Sequence, residues 1–363
     1  MSLDLAGRIL RSPVLAALAS PHPVDRYLEH INPMWAAHEV RARIVEVRRE
    51  VDVPGAPPVA TVTLQPTSTW RGHRAGQHVS VGVQMDGGRR TTRVFTVSSA
   101  DSRPGEAFTL TVRANEDAPG RPSVARFLAE RAARGTIVHL SQAEGDFVLP
   151  DRVPERLLLL SGGSGITPVM SMLRSLQRRT HRGRVTFLHY ASTPEQLIYR
   201  DELDDVRHSG HGVDLHVLHP GLGDPYLSPA LLERLVPGYR DVPTWACGPA
   251  GLIEAVQGAY GDSPALRVEY FKPPRHRGTA GGEIAFSRTG TAVPNTGGTL
   301  LDQAEAAGLR PESGCRMGIC FSCTTRKSEG VVRNVLTGET SSAPDEDIRI
   351  CVSTPEGDCS VDL

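Results

Sequence analysis

The sequence predicts a multidomain chain: a small antiparallel β-barrel, then an α/β domain built on a parallel sheet, then a compact cysteine-bearing domain. Three observations carry this. Up to about residue 149, short strand-like runs are separated by Gly, Pro and Asp turns; beyond Pro150, apolar runs alternate with helical patterns; and near the C-terminus four cysteines gather behind a Pro/Gly-rich basic stretch.

The elements follow in order. Residues 1–39 read as a mostly helical extension ending at Pro33-Met-Trp35. Within it Leu3, Leu5, Ile9, Leu10, Val14, Leu15 and Leu18 line one side of a short helix, which either packs on the body or makes a peripheral membrane or partner contact. Arg11 and Pro13 interrupt that run, and it is shorter than the roughly 20 residues a membrane span needs, so no transmembrane segment or signal peptide is expected. Residues 40–150 hold the barrel, with strands at 41–51, 59–64, 78–83, 92–98, 108–113 and 136–140 and one helix at 123–133.

Residues 151–272 form the α/β domain. The run 156–160 is nearly all apolar, as a strand buried on both faces requires. Gly-Gly-Ser-Gly follows, then a helix from Thr167 with Val169, Met172, Leu173 and Leu176 on one side. Strands at 185–190, 213–218, 243–247 and 266–271 complete a five-stranded parallel sheet. Helices are expected at 251–259, after Ser228-Pro229, and after Thr193-Pro-Glu-Gln196, where Thr caps and Gln closes a capping box. Residues 273–282 read as a linker, and 283–363 as a hairpin, a helix at 300–307 and the cysteine loop.

Composition narrows the function. The 40 basic and 41 acidic residues nearly cancel, which speaks against nucleic-acid binding. Six cysteines, four of them in one pattern, point away from a disulfide framework and toward a reducing, cytoplasmic setting.

Cys315, Cys320, Cys323 and Cys351 read Cys-x4-Cys-x2-Cys with a distant fourth, the spacing of a plant-type [2Fe–2S] site. Gly314 and Gly318 suit a tight loop whose N–H groups approach sulfur. Zinc sites usually pair two Cys-x2-Cys halves, and this loop does not. The chemistry implied is electron transfer. A second signal is Leu160-Ser-Gly-Gly-Ser-Gly-Ile-Thr-Pro168, glycines between a buried strand and a helix N-terminus, where backbone amides and the helix dipole favour a pyrophosphate. It lacks the Lys-Ser/Thr of a P-loop. A third is Arg93-Val-Phe-Thr96, an Arg for phosphate, an aromatic for a flat ring and a hydroxyl for a ring nitrogen.

Taken together, these motifs and their order resemble the ferredoxin–NADP reductase superfamily in its version with a fused [2Fe–2S] domain, over residues 40 to 363. The resemblance implies an antiparallel β-barrel flavin domain, an α/β parallel-sheet nucleotide domain and a β-grasp ferredoxin domain. It implies that Arg93 holds flavin phosphate, Phe95 packs on the isoalloxazine and Thr96 bonds near N5, with Phe and Thr standing where the family has Tyr and Ser. Arg113, Gly120 and Ser123 resemble the second phosphate segment of the FAD-binding members, and Ser123 also reads as an ordinary helix cap. Gly162, Gly163, Gly165 and Thr167 match the NAD(P)H loop. Cys247 and Gly248 match the Cys-Gly-Pro segment beside the nicotinamide. Glu269 and Phe271 resemble the Glu-x-Phe/Tyr ending, with Glu269 near the reaction path and Phe271 covering the flavin. Cys247 equally fits a buried apolar position, and Glu269 a solvated strand end.

A ribose 2′-OH reader would be a carboxylate after the second strand, and here Ser192 stands instead, with no carboxylate until Glu195. That favours NADPH and leaves NADH open. His-Pro-Val-Asp-Arg-Tyr-Leu28 and Ile31-Asn-Pro-Met-Trp35 look like actinobacterial-type reductases that serve membrane-bound acyl desaturases. The expected route is NAD(P)H to FAD to [2Fe–2S] to a desaturase or an oxygenase, including a Rieske or alkane hydroxylase component. The competing class is a redox-sensing module, against which the intact flavin and nucleotide motifs argue.

Overall fold

The computed structural model describes residues 17, 19–20, 22–85, 90–114, 123–209, 212–270, 278–314, 316–318 and 321–363. It divides into two compact units, Met1–Glu269 and Tyr270–Leu363. The apolar N-terminal positions up to Leu15, with Leu18, lie outside the described residues, as do Gly120, Phe271, Cys315 and Cys320.

The first unit opens with helix α1 (Val24–Ile31), which is fastened to the barrel by buried charge. Asp25, 2% exposed, accepts the backbone N–H of Ala37 at 2.7 Å and of His38 at 3.1 Å. Burial alone would raise its carboxyl, but these N–H donors outweigh it and hold the group below its ordinary value. The fully buried Arg41 donates to the Trp35 carbonyl at 2.7 Å and lies 4.0 Å from Asp25 and 3.5 Å from Glu29. The described part of the extension is therefore integral to the barrel. On its outer side Tyr27, Ile31 and Trp35 stay 47%, 70% and 52% exposed.

The barrel comprises β1 (Val40–Val51), β2 (Val59–Pro66), β3 (His78–Gln84), β4 (Arg90–Thr96), β5 (Phe108–Arg113) and β6 (Ile137–Leu140), in the order β4-β3-β6-β1-β2-β5. An antiparallel bridge between Val97 and Leu110 brings the two edge strands together, so no edge is left open there. Ile44, Leu64, Val79, Val81 and Leu110 fill it beside Trp70, which stacks on Phe108 at 4.7 Å. The expected helix at 123–133 is shorter and irregular: α2 (Val124–Arg126) passes into a π-turn, Phe127–Arg131.

The α/β part comprises β7 (Arg156–Gly162), α3 (Ile166–Arg178), β8 (Arg184–Tyr190), α4 (Arg200–Ser209), β9 (Val213–Leu218), α5 (Pro229–Leu235), β10 (Thr244–Gly248), α6 (Ala250–Tyr260) and β11 (Leu266–Tyr270). The strand order is β11-β10-β7-β8-β9, so the winding reverses at β7, the place where open α/β sheets bind their ligands beyond the strand ends. Ser228 caps α5 by accepting the Leu231 N–H at 3.2 Å, as its sequence predicts. Thr193 does not cap a helix. Pro194–Gln196 makes only a single 3₁₀ turn, because the consecutive apolar residues Leu197, Ile198 and Tyr199 are all buried and cannot share one helical face; the next helix waits until Arg200.

The second unit is a mixed sheet of β12 (Glu283–Phe286), β13 (Thr291–Pro294), β14 (Thr324–Asn334), β15 (Thr340–Ser341) and β17 (Ser353–Val361), with β16 (Glu346–Arg349) paired to β14. Its strand order is β13-β12-β17-β14-β15, and β12 runs parallel to β17. Helix α7 (Leu300–Ala306), capped by Thr299, packs Leu300, Leu301 and Ala304 into the core with Ile284, Phe286 and Val361, a β-grasp arrangement. Residues 278–282, inside the expected linker, are tied to this unit: Asn295 Nδ2 donates to the carbonyls of Thr279 and Gly281. The linker residues 273–277 lie outside the described residues.

Candidate functional site

At the strand reversal, β7 delivers Leu157 to Leu160, all fully buried, into the turn Gly162-Gly-Ser-Gly165. Thr167, 3% exposed, donates its hydroxyl to the Ser164 carbonyl at 3.2 Å, so its side chain holds the turn together. Gly165 presses on β10: a Cβ there would sit 2.3 Å from the Cys247 carbonyl oxygen and 2.7 Å from Gly248 Cα. The glycine turn and the Cys247-Gly248 segment are thus nested backbone to backbone. Gly163 faces the opposite way, into open space, at the N-terminus of α3, which is the arrangement a pyrophosphate needs.

Cys247 is fully buried, and burial pushes its thiol well up, with the Glu269 charge adding to the shift. Glu269 lies on the neighbouring strand β11, its Oε2 buried with no hydrogen-bond partner among the described residues, and burial raises its carboxyl to about 8. An orphaned carboxylate oxygen beside a nested glycine turn fits a missing polar partner, and the amide-bearing ring of NAD(P)H would provide one. Cys247, Ser161, His189 and Val217 stand in register across the sheet. Ser161 Oγ and His189 Nδ1 are 2.8 Å apart, and burial depresses the imidazole to about 3, so this buried pair is neutral. Nothing local in the sequence marks these residues, 28 apart, as neighbours.

In the barrel, Arg93 and Phe95 sit two apart on β4, opposite Val81 and Val79. Phe95 is half-buried and packs on the barrel core, Thr96 is buried, and Arg93 donates to the Thr92 carbonyl at 2.9 Å. Ser123 caps α2 through the Arg126 N–H at 3.2 Å, which is its ordinary role. One cleft is lined by Arg113 and Val51 of the barrel together with Gly163, Ser192 and Gln196 of the α/β part. The structure therefore brings Arg113, Gly163 and Ser192, expected from three separate motifs, onto one opening. A cavity of about 730 Å³ between α3 and α4 lies elsewhere, against Leu173, His181 and Val213.

In the second unit Cys323 and Cys351 are 3% and 4% exposed. Gly318 directs its N–H at Cys351 Sγ, 3.3 Å away, the contact that tunes a thiolate ligated to iron. Gly318 has φ +72, and a Cβ there would lie 2.9 Å from Val352 Cγ2. Arg316 is bound by Glu305 at 2.9 and 2.5 Å, a local ion pair rather than a free cation. Arg349 donates to the Gly318 carbonyl and lies 4.9 Å from the ring centre of Phe321. Phe321 itself is 64% exposed. The buried thiols of Cys323, on the tight loop, and Cys351, met by the inward Gly318 amide, fit an iron–sulfur cluster; Cys315 and Cys320 lie outside the described residues.

The comparisons with known proteins agree with this geometry. The oxidoreductase NAD-binding domain family matches residues 159–258, and the 2Fe-2S iron-sulfur cluster binding domain family matches residues 286–356. An NADPH oxidoreductase of Mycobacterium tuberculosis is 36% identical over 356 residues, covering 96% of this chain and 91% of its own length. The chain belongs to the ferredoxin–NADP reductase superfamily with a fused [2Fe–2S] domain. A stachydrine N-demethylase reductase subunit of Rhizobium meliloti is 31% identical over 332 residues, covering 83% of this chain and 92% of its own. Phthalate dioxygenase reductase has the same fold, with a TM-score of 0.61 at 22% identity, over 90% of this chain and 98% of its own. Members of this reductase family take NAD(P)H, FAD and a [2Fe–2S] cluster, and this chain is an NAD(P)H-dependent iron–sulfur flavoprotein oxidoreductase. Among the described residues no helix is long and apolar enough to cross a membrane.

Proposed function

We propose that this reductase supplies electrons from NADPH to an oxygen-activating iron protein, with a membrane-bound acyl desaturase as the preferred acceptor and a Rieske-type or alkane oxygenase as the alternative. FAD, when bound, accepts the electron pair of NADPH and releases it singly to the cluster. The observation that carries the reading is the single cleft on which Arg113, Gly163 and Ser192 meet. Arg113 and Arg93 hold flavin phosphates, with Thr96 and Phe95 against the ring. Gly162, Gly163 and Gly165 cradle the nucleotide pyrophosphate, and Cys247, Gly248, Glu269 and Phe271 border the nicotinamide. Ser192, with no carboxylate beside it, supports NADPH over NADH. Cys315, Cys320, Cys323 and Cys351 hold the cluster.

The desaturase is preferred because Tyr27, Ile31 and Trp35 offer an exposed apolar row directly after an apolar N-terminal sequence, which suits work at the cytoplasmic face of a membrane. Anaerobic titration with NADPH, with NADH in parallel, is expected to bleach the flavin and give a rhombic [2Fe–2S]⁺ EPR signal, at about ten-fold lower concentration for NADPH. Reduction by neither nucleotide would return the chain to the redox-sensor class. Cys351→Ser is expected to lose the EPR signal and keep the bleaching; survival of the cluster would remove Cys351 from the ligand set. Acceptors are separated by supplying NADPH to desaturase-containing membranes and to a purified Rieske oxygenase, and turnover by the oxygenase alone would overturn the desaturase preference.

A further inference from the structure

The barrel strand that carries Arg93, Phe95 and Thr96 continues past its end into Ser98, Ser99, Ala100 and Asp101, and helix α3 is attached to that continuation. Ser171 Oγ donates to the Ser99 carbonyl at 2.5 Å, and Ser175 Oγ accepts the Asp101 N–H at 2.9 Å. Arg178 donates to the Asp101 carbonyl at 2.7 Å, and Arg179 to its carboxylate at 2.5 Å. Asp101 is itself fixed to the barrel, since its other oxygen accepts the Ala75 N–H at 2.7 Å. Residues 171, 174, 175 and 178 lie on one face of the helix. The same helix begins at the glycine turn, so the segment just after the flavin motif and the pyrophosphate turn are joined through one rigid rod.

Arg174 does more than the others. Its Nη1 donates to the Ser98 carbonyl at 2.5 Å, while Nε and Nη2 grip the Glu202 carboxylate at 2.8 and 2.5 Å. Its guanidinium carbon lies 4.5 Å from the ring centre of Tyr199. Tyr199 is 2% exposed, holds φ +60, and closes the 192–198 turn that starts with Ser192. From the pyrophosphate helix, one guanidinium therefore reaches both the segment just after the flavin strand and the turn at the adenosine end. A lysine could neither fork onto Glu202 nor lie flat on the ring while reaching Ser98.

We propose that Arg174 is the positioning residue that sets the nicotinamide against the flavin, with Tyr199 and Glu202 as its supports. This rests on the assignment of residues 93–96 to the flavin and 162–165 to the nucleotide. Misplacement of about an ångström costs up to about 100-fold in rate without a comparable loss of binding. The test uses full-length, FAD-loaded Arg174→Lys and Glu202→Gln beside the unaltered protein. Four quantities are read: flavin content, NADP⁺ affinity, the nicotinamide–flavin charge-transfer absorbance on mixing with NADPH, and flavin reduction at saturating NADPH.

Arg174→Lys is expected to keep flavin content and NADP⁺ affinity within about two-fold. It should lose most of the charge-transfer band and slow flavin reduction by about 10- to 100-fold, a kcat rather than KM effect. Glu202→Gln should move the same two quantities, by less. An undiminished band and rate in Arg174→Lys overturns the proposal. So does a loss that tracks flavin release or a lowered melting temperature, because that marks a structural tie only. If Arg174→Lys does not fold, an unchanged band in Glu202→Gln overturns it alone. Failure of NADPH to bleach the unaltered protein would instead remove the underlying assignment.

Discussion

The glycine turn after β7 and the cluster loop are both tight, glycine-bearing loops, and they are held in opposite ways. The turn is a continuation of regular structure: β7 runs in, α3 runs out, and Thr167 ties back to the Ser164 carbonyl. The cluster loop borrows its order from elsewhere. Glu305 of α7 grips Arg316, Arg349 at the end of β16 grips the Gly318 carbonyl, and Gly318 reaches back to Cys351. Among its described residues Arg316 at φ 58 and Phe321 at φ 55 hold left-handed backbone, each costing about 1–2 kcal/mol. The turn is thus held by regular structure of its own, as suits a nucleotide that binds and leaves at every turnover. The cluster loop takes its order from its neighbours and carries strained backbone, as suits a resident group whose binding is part of folding.

The comparison breaks most sharply at two glycines. Gly165 has φ −64, so its constraint is purely steric, and the obstacle is the backbone of β10. Gly165→Ala is expected to cost about 3 kcal/mol of overpacking and to weaken NADP⁺ binding severely while the cluster signal survives. Thermal melting with a nucleotide titration checks it; a stability within about 0.5 kcal/mol of the original would mean the two backbones are not nested. Gly318→Ala meets a smaller obstacle, a valine methyl group, plus the left-handed penalty, together about 2 kcal/mol. Its expected signature is the reverse: cluster content falls while NADPH still bleaches the flavin. Equal damage to both cofactors in either variant would dissolve the distinction.

The same contrast decides what the sequence made legible. The parallel sheet could be read because a doubly buried strand writes its burial as a run, Leu157 to Leu160, and a glycine turn before a helix is written contiguously. The cluster could be read from cysteine spacing, a covalent requirement, although nothing in the spacing reveals that Arg316 spends its charge on Glu305. What stayed hidden was long-range. The Asp25–Arg41 network, the Ser161–His189 pair and the Arg174 contacts each join residues that only the fold brings together. The helix expected after Thr193 failed for a related reason: a good capping pattern was overruled by the burial of Leu197, Ile198 and Tyr199.

The smallest effect sharpens the comparison on the side of the turn. If the nucleotide site is preformed, it carries a standing cost, and Glu269 is where that cost should be measurable. Its carboxyl is raised from 4.5 to about 8 by burial. Between those values the unfolded chain is ionised and the folded chain keeps its proton, so the folded state binds more protons and stability falls as pH rises from 4.5 toward 8. Above 8 the loss is complete. Because part of the side chain still meets solvent, the net loss is expected to be about 1 kcal/mol rather than the full linkage value. Glu269→Gln cannot ionise, so its melting temperature should match the original at pH 5 and exceed it at pH 8 to 9. If Glu269 borders the nicotinamide as proposed, saturating NADP⁺ should shrink that gap. Melting curves that stay parallel from pH 5 to 9 would mean Glu269 is solvated, and that the preformed turn carries no such cost.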